Sequence, residues 1–349
     1  MQGSGERSAK LEGEESLRME EKTVSDKLRI GLIGCGGIAG AHLSAYQNSG
    51  LAQVVAVSDI DEAKASALAA KAEATAYTSY MEMIEKERLD AVSLLTPPHN
   101  HRQIAEEVLA AGVPIFSEKP LAKTVADSQA MVDAARRTGK LLLVAQCHRF
   151  HEPVRRAKAL IENGDLGKIV NYRNRFGYVA GTPDARTRGR GGILLDNGSH
   201  SSYLFRYLVG EVKSVFGWAP ANQRGAIEDL CVCTLLLESV DGPAGIIELD
   251  GASKPCPNAI EVFGEKGAVV IDYSSGKSFF KPATGDPVEL NDPSLPGAHR
   301  FDREVLHFLR CVRGEEEPEI GAEEGLADVR VLQAAYASMN SGKAELVTG

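Results

Sequence analysis

From Leu28 onward, short apolar runs alternate with stretches of helical texture. LRIGLIG leads into a helix reaching about Asn48, and QVVAVSD into a helix from Asp61. TAY precedes a short helix from Ser79, and DAVSLLT one from Asn100. VPIFSE precedes a helix from Thr124, and LLLVAQ closes the series. The runs lack polar alternation, as expected for strands buried on both faces of a parallel sheet. Pairs three residues apart mark helix starts: Ser79 with Glu82, Asn100 with Gln103, Thr124 with Asp127. There a side-chain oxygen accepts an orphan N–H of the first turn. Strand–helix–strand repetition needs crossover connections and predicts an α/β, doubly wound parallel sheet.

After Gln146 the texture changes. A helix near Pro153–Asn163 leads to KIVNYRNRFG, which alternates like a strand with one solvated face. VKSVFGW, LCVCTLLLE, PAGIIELDG, NAIEVFGEKGAVVIDY and KSFFKPA read as further strands, with a hairpin turning at Glu265–Gly267. Successive strands with short turns predict an open, mostly antiparallel sheet in a C-terminal α+β unit. Phe301, Val305, Phe308 and Val312 lie at helical spacing, so one stripe of a late helix faces a core. A closing helix spans about Glu324–Ser341. The expected organisation is a tail over 1–26, a nucleotide-binding domain over 27–147, and a substrate-binding and oligomerisation domain over 148–349. The string MEEKTVSDKLRIGLIG is read as starting at the native Met19, with an upstream extension before it.

Composition narrows the function class. The chain has 349 residues, 43% of them hydrophobic, and a formal net charge of −9. That length suggests two domains. The acidic balance argues against nucleic-acid binding, which needs clustered positive charge. No apolar run has the length of a membrane span. The cysteines Cys35, Cys147, Cys231, Cys233, Cys256 and Cys311 form no C-x-x-C pair and no zinc-spaced cluster with histidine, so no metal is expected. Sparse thiols without a disulfide framework fit a soluble protein of a reducing cytoplasm.

Three clusters carry chemistry. Gly34-Cys35-Gly36-Gly37-Ile38-Ala39 is a G-x-G-x-x-A turn between the first strand and its helix. Gly34 permits the tight turn, Gly36 lets the backbone approach a pyrophosphate, and Ala39 permits close helix–strand packing. Asp59 ends the second strand, where a carboxylate accepts ribose hydroxyls and repels a 2′-phosphate. With no arginine after it, NAD is favoured over NADP. Together these make the first sheet Rossmann-type. Thr96-Pro97-Pro98 and Glu118-Lys119-Pro120 follow the fourth and fifth strands at the carboxyl edge, where ligands of this fold bind. A lysine there can stabilise a developing alkoxide. Finally, Asp196 and His200 lie four apart in GGILLDNGSH and share one helix face. A carboxylate beside imidazole orients it as a general base. Arg186, Arg188 and Arg190 precede this run on a glycine-rich loop and could fork onto a substrate carboxylate or phosphate.

GLIGCGGIA, TPPHNH, EKPLA and the GG-x-L-x-D-x-G-x-H run, in this order, resemble the glucose–fructose oxidoreductase / inositol dehydrogenase (Gfo/Idh/MocA) family. The likeness runs from residue 28 to about 347 and includes the FGEKGAVVID hairpin. It implies a catalytic trio of Lys119, Asp196 and His200. It also implies a cofactor site of Gly34, Gly36, Gly37, Ile38, Ala39, Asp59, Thr96, Pro97, His101, Glu118 and Lys119. Arg149, Arg190 and Asn197 stand as substrate candidates. Arg190 replaces a common glycine, and His148 stands where many members have asparagine or arginine; both changes fall in the substrate pocket.

The expected activity is hydride transfer from a secondary hydroxyl of a sugar, cyclitol or sugar derivative to NAD. A homodimer or homotetramer through the C-terminal sheet is implied as well. Two alternatives stay open: an NAD-using glycoside hydrolase or epimerase acting through a transient 3-keto sugar, and a non-catalytic nucleotide-sensing regulator.

Overall fold

The computed structural model describes residues 27–177, 191–223, 230–253, 258–291 and 299–348. The tail expected over 1–26, the loop arginines Arg186, Arg188 and Arg190, and Cys256 lie outside the described residues.

Six strands, β1 Leu28–Ile33, β2 Ala52–Ser58, β3 Thr75–Tyr77, β4 Ala91–Leu94, β5 Ile115–Glu118 and β6 Leu142–Ala145, form one sheet in the order β3-β2-β1-β4-β5-β6. Every pairing in it is parallel. Chain direction across the sheet reverses between β1 and β4, and that switch point opens a crevice above the carboxyl ends of the strands. Helices α1 Ala39–Ser49, α2 Glu62–Ala72, α3 Tyr80–Lys86, α4 His101–Ala110 and α5 Val125–Thr138 make the crossovers. Ser79 and Thr124 accept the N–H of Glu82 and Asp127 as the spacing predicts, and Asp61 caps α2. Asn100 does not cap α4. A 3₁₀ turn over Pro98–Asn100 runs directly into that helix, so Asn100 already has helical backbone angles.

The second sheet comprises β7 Ile169–Gly177, β8 Val212–Trp218, β9 Val232–Ser239, β10 Ala244–Asp250, β11 Ala259–Gly264, β12 Gly267–Asp272, β13 Lys277–Pro282, β14 Val288–Glu289 and β15 Glu345–Leu346. Its order is β14-β13-β12-β11-β7-β10-β9-β8-β15. Only β7 and β10 pair in parallel; the remaining neighbours are antiparallel. The predicted hairpin closes with Gly264 opposite Gly267. Helix α6 Glu152–Glu162 and the buried α7 Gly192–Leu208 contribute Val154, Leu194, Leu204 and Phe205 to a core on one face, against Tyr172, Leu235 and Ile247 of the sheet.

The end of the chain returns to the first sheet. α8 Arg300–Val312 carries the predicted apolar stripe, and it buries Val305, Phe308 and Leu309 among Ile30, Tyr46 and Phe116. Phe308 stacks on Phe116 with ring centroids 4.9 Å apart. α9 Ala322–Ser341 belongs to both cores. Ala322 and Leu326 join the first, and Val331, Leu332, Ala335 and Met339 the second. One continuous helix therefore fixes the two sheets against each other, with the crevice between them.

Candidate active site

The glycine turn is built as its sequence requires. Gly34 has φ +100°, and a Cβ there would lie 2.9 Å from the main chain of Leu95. A Cβ at Gly36 or Gly37 would meet nothing within 4 Å. The glycines at those positions thus leave space open in front of the turn, where a diphosphate fits. Helix α1 starts at this turn with no side-chain cap, so its first N–H groups and dipole face the same space. Asp59 sits beside the turn, its carboxylate accepting from Cys35 N at 2.8 Å and Asp61 N at 2.9 Å. Each oxygen keeps a lone pair for a ribose hydroxyl. Ile60 next to it is 97% exposed, an apolar surface for a base. The Thr96 hydroxyl, buried without a partner among the described residues, lies at the end of β4. These residues fit a dinucleotide whose phosphates rest on Gly34–Ala39.

Lys119 follows β5, and its Nζ donates to Asp196 Oδ1 at 2.5 Å and to the Asp196 carbonyl at 3.0 Å. His200 lies one turn further along α7, near enough for the Lys119 charge to act on it. The chain thus brings together the three residues read from distant motifs. Their pairing differs from expectation. Asp196 and His200 share a helix face, but the Asp196 carboxylate holds the Lys119 ammonium. The Nδ1 of His200 instead meets Gln146 Oε1 at 3.2 Å. Gln146 Nε2 donates to Asp328 Oδ2 at 3.2 Å, which fixes the amide with its oxygen toward the imidazole. Ser202 donates to the other Asp328 oxygen. Nδ1 therefore carries the proton and Nε2 keeps its lone pair. Burial, then the charges of Lys119 and Arg300, hold His200 well below the usual imidazole range, so the ring is neutral near neutral pH, with its lone pair at Nε2.

Other expected contacts resolve differently. Glu118 is turned inward: His42 Nε2 meets its Oε1 at 3.0 Å, and Lys119 N donates to its Oε2 at 3.1 Å. Burial would raise its pKa, but the His42 hydrogen bond and the His42 and Lys119 charges hold it below the usual carboxylate value. His101 is fully buried, its Nε2 2.7 Å from the Thr96 carbonyl and its Nδ1 3.0 Å from the Leu121 carbonyl. Both ring nitrogens therefore meet backbone carbonyls, which ties the loop after β4 to the loop after β5. Arg149 is drawn away from the crevice, donating to Glu319 at 2.7 Å and the Tyr203 hydroxyl at 2.8 Å, with its guanidinium over the Tyr207 ring. An acidic and aromatic pocket thus holds the guanidinium. Asn197 is half-buried beside Asp196. Arg190 lies outside the described residues.

Sequence reading missed Gln146, Asp328, His151, Tyr273 and Arg300, and it noted His148 only as a departure. His148 packs edge-on against His200, centroids 4.5 Å apart, and its Nδ1 meets the Tyr273 hydroxyl at 2.9 Å. Cys147 Sγ and a ring nitrogen each from His148 and His200 come within 4.8 Å of one another, a grouping that no spacing in the sequence announced. The Lys119 and Arg300 charges bearing on the two rings work against a cation there. Burial also pushes the Cys147 thiol up to about 12.

Comparisons with known proteins bear on the fold and the family. Residues 28–146 match the oxidoreductase family with an NAD-binding Rossmann fold, and residues 154–270 match the GFO/IDH/MocA C-terminal domain. A D-apiose dehydrogenase of Paraburkholderia graminis is 27% identical over 343 residues, covering 92% of this chain and 90% of its own length. A myo-inositol 2-dehydrogenase of Thermotoga maritima is 29% identical, covering 92% of this chain and 100% of its own. The crystal structure of the WlbA dehydrogenase from Bordetella pertussis in complex with NADH and UDP-GlcNAcA matches with TM-score 0.80 and 26% identity, over 93% of this chain and 98% of that one. With both halves of the fold matched in order along the chain, the protein belongs to the GFO/IDH/MocA family of NAD-dependent oxidoreductases.

Proposed function

We propose that the protein oxidises a secondary hydroxyl of a sugar, cyclitol or sugar derivative, with Lys119, Asp196 and His200 as its working trio. The observation that carries this reading is the convergence, at the carboxyl edge of the first sheet, of the Asp196-held Lys119 ammonium with an imidazole whose free nitrogen is basic. His200 Nε2 takes the hydroxyl proton, and Gln146 keeps that nitrogen unprotonated until it does. Lys119 donates to the same oxygen and stabilises its developing charge, with Asp196 fixing the ammonium. Asp59 and the Gly34–Ala39 turn hold the dinucleotide; when bound, NAD accepts the hydride from the substrate carbon. The dehydrogenase names of the relatives support the substrate class. A cytoplasmic location is part of this reading; among the described residues no helix is long and apolar enough to cross a membrane.

The test is a panel of sugars and cyclitols with added NAD, following reduced nicotinamide. Lys119→Ala and His200→Ala are each expected to lower kcat by about a hundredfold or more, with NADH affinity by fluorescence nearly unchanged. Loss of NADH binding in step with turnover would show the pair to be misplaced. Product formed without net reduced cofactor would favour the hydrolase or epimerase reading, and NADH binding without any turnover the regulator.

A further inference from the structure

The trio leaves one charged side chain at the crevice unused. Arg300 opens α8, so it enters from the far end of the chain. It stands close enough to His148, His151 and His200 for its charge to bear on all three rings, and it hydrogen-bonds Cys147. Its Nε is buried and meets no acceptor among the described residues, and the same holds for His151 Nδ1. Both residues lie near Tyr273. The His151 ring stacks on that phenol, centroids 4.7 Å apart at 22°, and the Arg300 charge bears on its hydroxyl. Tyr273 meets His148, which packs on His200. A line of contacts thus runs from His151 through Tyr273 and His148 to the proposed base, with the Arg300 charge bearing on every ring along it. Buried donors are nearly always paired, so adjacent unpaired ones describe a receptor for an acceptor.

The charges around Arg300 define that acceptor. Lys119 is matched by Asp196, and Arg303 by Glu152. Glu304, one turn along α8, is 1% exposed, and neither of its oxygens has a partner. Burial first, then the Glu118 charge, pushes its pKa well up against the opposing Arg300 charge, and neither of its oxygens reaches hydrogen-bond distance of Arg300. Burial, then Arg300 and its neighbours, pushes His151 down to about 4, leaving it a neutral donor or acceptor. Arg300 therefore has no carboxylate in ion-pair contact among the described residues. A planar monoanion with two oxygens balances it, whereas a phosphate dianion would bring a second negative charge with no second cation.

We propose that Arg300 and His151 form a carboxylate subsite, and that the alcohol oxidised at His200 belongs to a sugar acid, an aldonate or a uronate. This rests on the dehydrogenase reading above and narrows its substrate class. It moves the anion-recognising role from the glycine-rich loop arginines to the first residue of α8.

The test uses the full-length protein loaded with NADH or NAD. Aldonates and uronates of several configurations are compared with their parent neutral sugars and with sugar phosphates, by calorimetric binding and by turnover. Acids are expected to bind about tenfold or more tighter than their neutral parents. In Arg300→Gln the acid-to-neutral ratio of kcat/KM should fall by about tenfold or more, chiefly through KM for the acid. His151→Leu should lower the ratio in the same direction. Far-ultraviolet circular dichroism and NADH titration check that both variants are folded. Equal handling of acids and neutral sugars, preference for phosphates, failure of every acid to bind, or an unchanged ratio in Arg300→Gln would each overturn the subsite. Arg300-dependent binding of acids without turnover would uphold it and instead sink the dehydrogenase reading.

Discussion

Gln146 decides which nitrogen of His200 is basic. Its amide is fixed by Asp328 on one side and offers oxygen to Nδ1 on the other. Replacing Gln146 with Leu removes the acceptor and lets the imidazole turn or change tautomer. Misplacing a catalytic group by about an ångström costs on the order of a hundredfold. The expected result is that loss in kcat with NADH affinity kept, read by steady-state kinetics beside a fluorescence titration. Asp328 contributes a pH signature of its own. Burial, outweighing the Arg206 charge and the Ser202 and Gln146 hydrogen bonds, lifts its pKa from 3.8 to about 7. The folded state therefore binds the proton more tightly than the unfolded chain, and stability falls as pH rises between those values. Asp328→Asn still offers an oxygen to Gln146 but has no proton to lose. Its stability relative to wild type should rise by roughly 2–3 kcal/mol between pH 5 and pH 8. Urea unfolding at both pH values measures this, and a constant difference would contradict it. Lys119, Asp196 and His200 were legible because each sits in a short motif. Gln146, Asp328 and Arg300 were not, because their partners stand far away in the chain and only folding selects them. Asp196 shows the limit of spacing arguments: a shared helix face with His200 did not make them partners once an ammonium stood closer.

At the scale of elements, the glycine turn separates two demands that the sequence alone merges. Gly34 answers to the protein, because its φ is +100° and a Cβ would press on the Leu95 main chain at 2.9 Å. Gly36 answers to the ligand, since a Cβ there meets no protein atom within 4 Å. Gly34→Ala is thus expected to lose about 1–3 kcal/mol of stability without any ligand present. Gly36→Ala should melt like wild type without cofactor yet lose most of the Tm rise that NADH confers. Thermal melts of both variants with and without NADH check the pair, and equal destabilisation would refute the distinction. Local signals of this kind explain why the strands, most caps and the hairpin could be read directly. The Ser79 and Thr124 caps and the Glu265–Gly267 turn each depend on a few neighbouring residues. Asn100 misled because it is the last residue of the 3₁₀ turn and already helical, while the extended residue before that turn is Pro97, whose side chain has no oxygen to cap with.

On the scale of the whole molecule, what the sequence hid is that the chain closes on itself. The stripe on α8 announces burial but not the partner, and that partner is the first sheet, packed before the second sheet's strands have even begun in sequence. This return brings Arg300 to the crevice; the other face of the second sheet is not covered by any of the described residues. On that face Phe216, Leu236 and Ile246 stand opposite one another across β8, β9 and β10. Leu236 is 47% exposed, and Trp218, further along β8, 50%. Beyond this row lie ion pairs, Arg175 with Glu248 at 3.0 Å and Arg173 with Glu261 at 4.0 Å. An apolar row rimmed by charge is the composition of a subunit interface, and a flat open sheet pairs readily with a copy of itself about a twofold axis. The proposed homo-oligomer is therefore expected to form through this face. Leu236→Glu would place a carboxylate at the centre of the row in each subunit. Burying two like charges opposite one another costs several kcal/mol, enough to shift a micromolar assembly to monomer. Light scattering after size exclusion should give the monomer mass for Leu236→Glu and a multiple of it for wild type. The crevice and α8 lie on the opposite side of the sheet, so the variant should keep its NADH affinity. A wild-type monomer, or an unaltered oligomer in the variant, would mean that this face is not where the copies meet.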